Sequence, residues 1–218
     1  MSKRVGVRDF YGRVWQEYAD PRHHPITAAS LSLQRDVVAR CMLEHRPERA
    51  LDLGCGPQPV IRPGQAPEVV HGDIVLEMLL QQRAREGSRP VCLDARLLPF
   101  RGETFDLVWC GLLSDHVRDL AGWFAELARI LRRGGVLGMA CWDRSRLPAD
   151  RYPQDREMAY TTSQGDEFVV ESLANWDQAL DRLRRLDPCT QVRSYPVFPE
   201  AYHLQVAFSS VPRDGAFP

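Results

Sequence analysis

Short apolar runs that end in an acid or a glycine recur along the chain, separated by stretches whose apolar positions repeat every three to four residues. Residues 49–53 read Arg-Ala-Leu-Asp-Leu and lead into Gly54-Cys55-Gly56. This run is too short for a helix and fits a buried parallel strand. The two glycines allow a sharp turn and bring bare backbone within reach of a ligand. The pattern repeats at 69–74, ending in Asp73-Ile74, and at 91–93, ending before Asp94-Ala95. Residues 105–110, after a turn at Gly102, and 136–142 supply two more predicted strands. Helical spacing is predicted at 27–45, where Leu33, Val37, Val38, Cys41 and Met42 form the apolar side, Thr27 or Ser30 caps the start and Pro47 stops the end. A second helix is predicted at 75–85, closed by Gly87. A third, at 119–133, carries Leu120, Phe124, Leu127 and Leu131 in one stripe and has Gly134-Gly135 as a left-handed cap.

Two stretches break this alternation. Gln58 follows Gly56-Pro57, and Pro59, Pro63 and Pro67 crowd the place where the first crossover helix belongs. Proline in a helix interior costs about 3 kcal/mol, so that helix is predicted to be one or two turns long, or absent. Residues 143–167 turn polar and proline-bearing, with Pro148, Pro153 and Gly165. A helix is then predicted at 171–186, with Leu173, Trp176, Leu180 and Leu183 on one side. Strands at 190–197 and 202–209 close the chain as a hairpin across Pro199-Glu200, before a tail with Pro212, Gly215 and Pro218. The sum is an α/β fold: a mostly parallel sheet with an antiparallel edge region.

Ahead of all this, residues 1–25 carry Phe10, Tyr11, Trp15 and Tyr18 at spacings that suit one helix face. They read either as a covering helix packed on the core or as a lid over a small ligand. His23-His24 cannot both face one metal from a regular helix and are taken as loop residues.

Composition narrows the function classes. At 218 residues, the chain makes one large domain, 1–218. A formal charge of −1 gives no global field for nucleic acid or anionic lipid. Lys3 is the only lysine, and the cluster Arg182, Arg184 and Arg185 reads as a solvated helix face. No run of 18 apolar residues and no signal-peptide pattern occurs, so no membrane partner and a cytoplasmic location are expected. The six cysteines form no C-x-x-C pair and read as buried thiols, with no metal site.

Taken in order, the turn at Asp52-Leu53-Gly54-Cys55-Gly56, the acids Asp73 and Asp94, the 105–110 strand and the helix ending in Arg132-Arg133-Gly134-Gly135 resemble the class I S-adenosylmethionine-dependent methyltransferases, of the type 11/25 kind. The resemblance covers about residues 50–142. It implies a Rossmann-like, seven-stranded, mostly parallel sheet with helices on both faces and a C-terminal antiparallel hairpin. It makes 143–168 a substrate-side insertion and S-adenosylmethionine the cofactor. The methionine end would lie over the Gly54, Cys55 and Gly56 backbone, with Asp52 ordering the turn. Asp73 would accept from both ribose hydroxyls and Asp94 from the adenine amine, with Ile74 and Ala95 flanking the ring. Cys110 would line the methionine end through its backbone.

On the acceptor side, His116 stands just past the fourth strand, where this family often has a histidine. It is either a general base for a hydroxyl acceptor or a helix-entry residue with no catalytic role. The position after that strand reads Cys110-Gly111-Leu112-Leu113, without the Asn/Asp-Pro-Pro-aromatic motif of enzymes that methylate nucleic-acid amines. Neither Cys110 nor Cys141 follows a proline, as the nucleophile of RNA cytosine methylation does. A small-molecule acceptor, methylated at oxygen, is therefore expected, with no nucleic acid and the oligomeric state open. The 171–186 helix also distantly resembles the enzymes that esterify a malonyl carrier protein. Two alternatives stay open: a non-catalytic binding or scaffold protein, and an enzyme that uses the cofactor for non-methylating chemistry. A dinucleotide oxidoreductase fits least, because G-x-G-x-x-G is interrupted by Pro57-Gln58-Pro59.

Overall fold

A computed structural model describes residues 3–18, 20–83, 87–146, 157–173, 175–197 and 202–212. The hairpin turn at Pro199-Glu200, the prolines 148 and 153 and the tail from 213 lie outside the described residues. The predicted strands appear as β2 (Arg49–Leu53), β3 (Glu68–Asp73), β4 (Arg89–Cys92), β5 (Phe105–Gly111), β6 (Leu131–Trp142), β9 (Gln191–Val197) and β10 (Tyr202–Ser210). They form one seven-stranded sheet in the order β4-β3-β2-β5-β6-β10-β9. β2 to β6 run parallel, and β10 pairs antiparallel with both β6 and β9.

Because strand side chains alternate, each central strand feeds two cores. Leu51, Val108, Cys110 and Leu137 join α4 (Leu120–Ile130) and α5 (Trp176–Leu186) on one face. Ala50, Leu107, Trp109 and Val136 join α2 (Pro25–His45) on the other. Near-continuous burial of β5, from Leu107 to Cys110, is what a parallel strand covered on both faces requires. Each fully buried large side chain contributes about 1.5–3 kcal/mol through removal from water.

Several boundaries differ from the sequence reading, each for a local reason. α2 begins at Pro25, not at Thr27, because proline suits the first helical position; Ser30 does not cap it but is buried, its hydroxyl donating to the Thr27 carbonyl. No helix forms between 57 and 67, as the prolines predicted. α3 is Leu76–Arg83. α4 begins next to the predicted start, with Asp119 as its cap, the carboxylate accepting from the Gly122 N–H, but it stops at Ile130. Leu131 is already paired with Phe105, and the Arg132 guanidinium donates to Asp106, which pulls the chain into β6. Gly134 keeps its left-handed backbone (φ 76°), inside an irregular strand instead of a helix cap.

The predicted 171–186 helix is the larger correction. Residues Glu167–Glu171 are a strand, β8, and the helix begins only at Trp176. Asp115 ties down the residues ahead of the helix: its backbone carbonyl accepts from Leu173 N–H and its carboxylate from Asn175 N–H. β8 pairs with β7 (Glu157–Thr161) and with β1 (Lys3–Arg4), making a separate three-stranded sheet. Helix α1 (Val7–Val14) packs on it through Phe10 and Val14, against Tyr160, Phe168 and Val170. Trp15 only ends that helix and Tyr18 lies in the turns beyond, so the aromatic residues do not share one helix face.

The sheet face is closely packed at Gly138, where an added Cβ would lie 2.7 Å from the Trp109 ring and 2.8 Å from Phe208. Both neighbours are rings that cannot bend aside. Gly138→Ala is expected to lower the urea unfolding free energy by about 1–3 kcal/mol; an unchanged midpoint would mean the two rings are not held there.

Candidate functional site

At the carboxyl ends of β2, β3 and β4 a cavity of about 1340 Å³ opens under the N-terminal segment. Its lining includes Asp52, Gly54, Cys55, Gly56, Asp73, Ile74, Asp94, Ala95 and His116. Of the residues expected in a cofactor site, only Cys110 is not in this lining; it is fully buried in the core, burial pushes its thiol well up, and Gly111 meets the cavity in its place.

The turn after β2 shows why glycine is needed. Gly54 and Gly56 both have left-handed backbone, φ 72° and 58°, which disfavours a Cβ. The Gly54 and Cys55 N–H groups donate to the Gly72 carbonyl at 2.8 and 3.1 Å, and the Gly56 N–H donates to Asp73 at 2.9 Å. These amides are committed inside the fold, so the turn offers a ligand bare backbone surface and not a ring of unpaired donors.

Asp52 is buried, and one carboxylate oxygen accepts from the N–H groups of Val60 and Ile61 at 2.7 and 2.9 Å. Arg35 on α2 donates to the carbonyls of Gln58 and Pro59, both at 3.1 Å, and the His71 ring donates to the Ile61 carbonyl at 2.8 Å. Three side chains thus pin the proline-rich loop where a helix was missing. Burial raises the Asp52 pKa to about 7, against the two amides that favour its charge.

Asp73 accepts from Gly56 N–H and, through its other oxygen, from Val75 N–H at 2.9 Å. Burial moves its pKa up, and these amides oppose the shift. Asp94 is more open. It is gripped by Arg96, with guanidinium contacts of 2.6 and 3.0 Å, and this pairing lowers its pKa. All three acids therefore reach one cavity, but each already has a partner.

Three further features join residues too far apart in the chain for local pattern to connect them. Tyr11 of α1 donates its hydroxyl proton to His116 Nε2 at 2.9 Å, while His116 Nδ1 donates to the Glu171 carbonyl at 3.3 Å. A carbonyl only accepts, which fixes the tautomer: Nδ1 carries the proton and Nε2 holds a lone pair. Burial lowers the His116 pKa and keeps the ring neutral. Arg4, Arg8, Arg13 and Arg118 also line the cavity, Arg118 paired with Glu171 at 2.6 Å. Finally, Gln34 and Trp109 reach the lining with buried polar atoms that have no hydrogen-bond partner. Such atoms cost about 1–3 kcal/mol each, and no periodicity in the sequence marks them.

Residues 51–139 match the family model described as a methyltransferase domain. That stretch is a methyltransferase domain of the class I S-adenosylmethionine-dependent kind, and S-adenosylmethionine is its cofactor. It is 28% identical over 205 residues to a malonyl-[acyl-carrier protein] O-methyltransferase of Pseudescherichia vulneris, covering 85% of this chain and 79% of that one. A protein of the same description from Gallionella capsiferriformans is 34% identical over 128 residues, covering 50% of this chain and 44% of that one. Among solved structures, the 1,6-didemethyltoxoflavin-N1-methyltransferase of Burkholderia thailandensis, with bound 1,6-didemethyltoxoflavin and S-adenosylhomocysteine, shares the fold: TM-score 0.59, 16% identity, 94% of this chain and 87% of that one. The residues present fit the cofactor, since buried carboxylates, bare glycine backbone and unpartnered buried polar atoms share one cavity. No helix among the described residues is long and apolar enough to cross a membrane.

The raised Asp52 pKa has a consequence for stability. The folded carboxyl binds its proton more tightly than the unfolded chain does, so its contribution is greatest below about pH 4 and is lost as pH rises to about 7. Asp52→Asn keeps an acceptor oxygen but cannot titrate. Relative to this variant, the parent chain should lose roughly 2 kcal/mol of urea stability between pH 5 and pH 8; parallel stability curves would contradict the buried, proton-binding Asp52.

Proposed function

We propose that this methyltransferase acts on an oxygen of a small molecule that enters the cavity beneath the N-terminal segment. The cofactor supplies an electrophilic methyl group carried on a sulfonium. The protein's task is to position an acceptor oxygen, exclude water and deal with the acceptor's proton. Asp73, with Ile74, would hold the ribose, and Asp94, with Ala95, the adenine; the bare backbone of Gly54, Cys55 and Gly56 would carry the methionine end, with Cys110 behind it.

The observation that carries the acceptor side is the neutral His116 ring, with its Nε2 lone pair directed to Tyr11 in the cavity lining. An acceptor hydroxyl that takes the place of the Tyr11 hydroxyl meets a base already unprotonated at neutral pH. The Glu171 carbonyl, accepting from Nδ1, favours the imidazolium that forms when Nε2 takes the proton.

A second reading has support of its own. The curated relatives are described as O-methyltransferases of a malonyl-[acyl-carrier protein], and arginines line this cavity. A carboxylate acceptor on a carrier protein would be drawn by Arg4, Arg8 and Arg118 and, being ionised, would need no base. His116 and Tyr11 would then only shape the wall.

Turnover of His116→Asn against a panel of small hydroxylated acceptors and a malonyl thioester separates the two. For a hydroxyl acceptor, kcat of the parent chain should rise with pH through a midpoint below the ordinary histidine value of 6.5. His116→Asn should lose that limb and about 10²–10⁴-fold in kcat, with S-adenosylhomocysteine binding intact. Unchanged kcat in the variant on every accepted substrate would remove the base role, and turnover of the malonyl thioester alone would favour the carboxylate reading.

A further inference from the structure

Helix α2 sends Thr27, Leu31 and Gln34, at i, i+4 and i+7, into the cavity lining. The last of these is polar and 1% exposed, and neither its Oε1 nor its Nε2 has a hydrogen-bond partner. Across from it, Trp109 of β5 is fully buried, lines the same cavity, and has an unpartnered Nε1–H. The two polar ends meet at Gly111: a Cβ there would collide with Gln34 Oε1 and lie 2.9 Å from Trp109 Nε1. Glycine at 111 is what leaves this pocket of unpaired polarity open. Trp109 is also the register partner of Asp52 in the β2–β5 pair, so the buried carboxylate stands on the same rung of the sheet.

These groups form a set with a definite chemical complement. The indole N–H only donates, the Gln34 amide offers one donor end and one acceptor end whichever way it is turned, and Asp52 adds negative charge when ionised. A purely anionic group would leave the amide oxygen unpaired and face Asp52; a purely cationic group would leave the indole N–H unpaired. A zwitterion, with a carboxylate for the donors and an ammonium for the acceptors, satisfies all of them. We propose that Gln34 and Trp109 bind the α-amino-carboxylate end of S-adenosylmethionine, as positioning and selectivity residues outside the strand-tip acids and the glycine turn. This holds whichever oxygen accepts the methyl group.

The test is calorimetric titration of the full chain with S-adenosylhomocysteine and with 5′-methylthioadenosine, which keeps the adenosyl thioether and lacks the amino-acid end. The parent chain should prefer the former. Gln34→Leu should weaken S-adenosylhomocysteine roughly tenfold and leave 5′-methylthioadenosine unchanged, with Trp109→Phe acting in the same direction. Gln34→Glu keeps the shape, guards against a packing artefact, and should also lower only the S-adenosylhomocysteine affinity. Equal affinities of the parent chain for the two ligands would overturn the assignment, as would variants that keep the parent's ratio between them.

Discussion

A carboxylate with 1% of its surface exposed is costly unless something within the fold meets its charge, and the way Asp52 is met shapes the site. Its two donors are the amides of Val60 and Ile61, on the proline-rich loop that follows the glycine turn. In related α/β folds a helix N-terminus fills this place and points its unpaired amides at the ligand. Here the prolines forbid the helix, and the loop turns its amides inward to Asp52. Arg35 and His71 complete the clamp through the loop's carbonyls. The pocket is therefore built from acids and bare backbone, with the loop as a wall.

The same cavity joins elements that are far apart in sequence. Tyr11, His116 and Glu171 come from the N-terminal helix, the turn after β5 and the end of β8, and two hydrogen bonds link them. The small sheet of β1, β8 and β7 is consequently part of the site and not an appendage. Asp115, beside His116, draws in the segment after β8 through Leu173 and Asn175, so the turn that presents the histidine is fixed from both sides.

What could be read from the sequence followed from short-range pattern. The strand runs, the stripe of α4, the absent crossover helix and the acids at the strand tips all express local periodicity or backbone restriction, and the family resemblance supplied their order. Long-range competition was not legible. Nothing near Leu131 announces that pairing with Phe105 ends the helix there, and nothing near Glu171 announces that β1 and β7 claim it for a sheet. Gln34 belongs to the same class: on a helix wheel it is one polar residue among several, and only Gly111, far along the chain, makes its position unusual.

The site depends on a loop held rigid by a buried acid before any ligand arrives. Amide hydrogen exchange at Gly56, Val60 and Ile61, with and without S-adenosylhomocysteine, tests this most directly. Slow exchange at Val60 and Ile61 in the free protein, with further slowing at Gly56 on binding, is the predicted result. Exchange as fast as in an unfolded chain at Val60 and Ile61, or no response at Gly56 to saturating ligand, would contradict it.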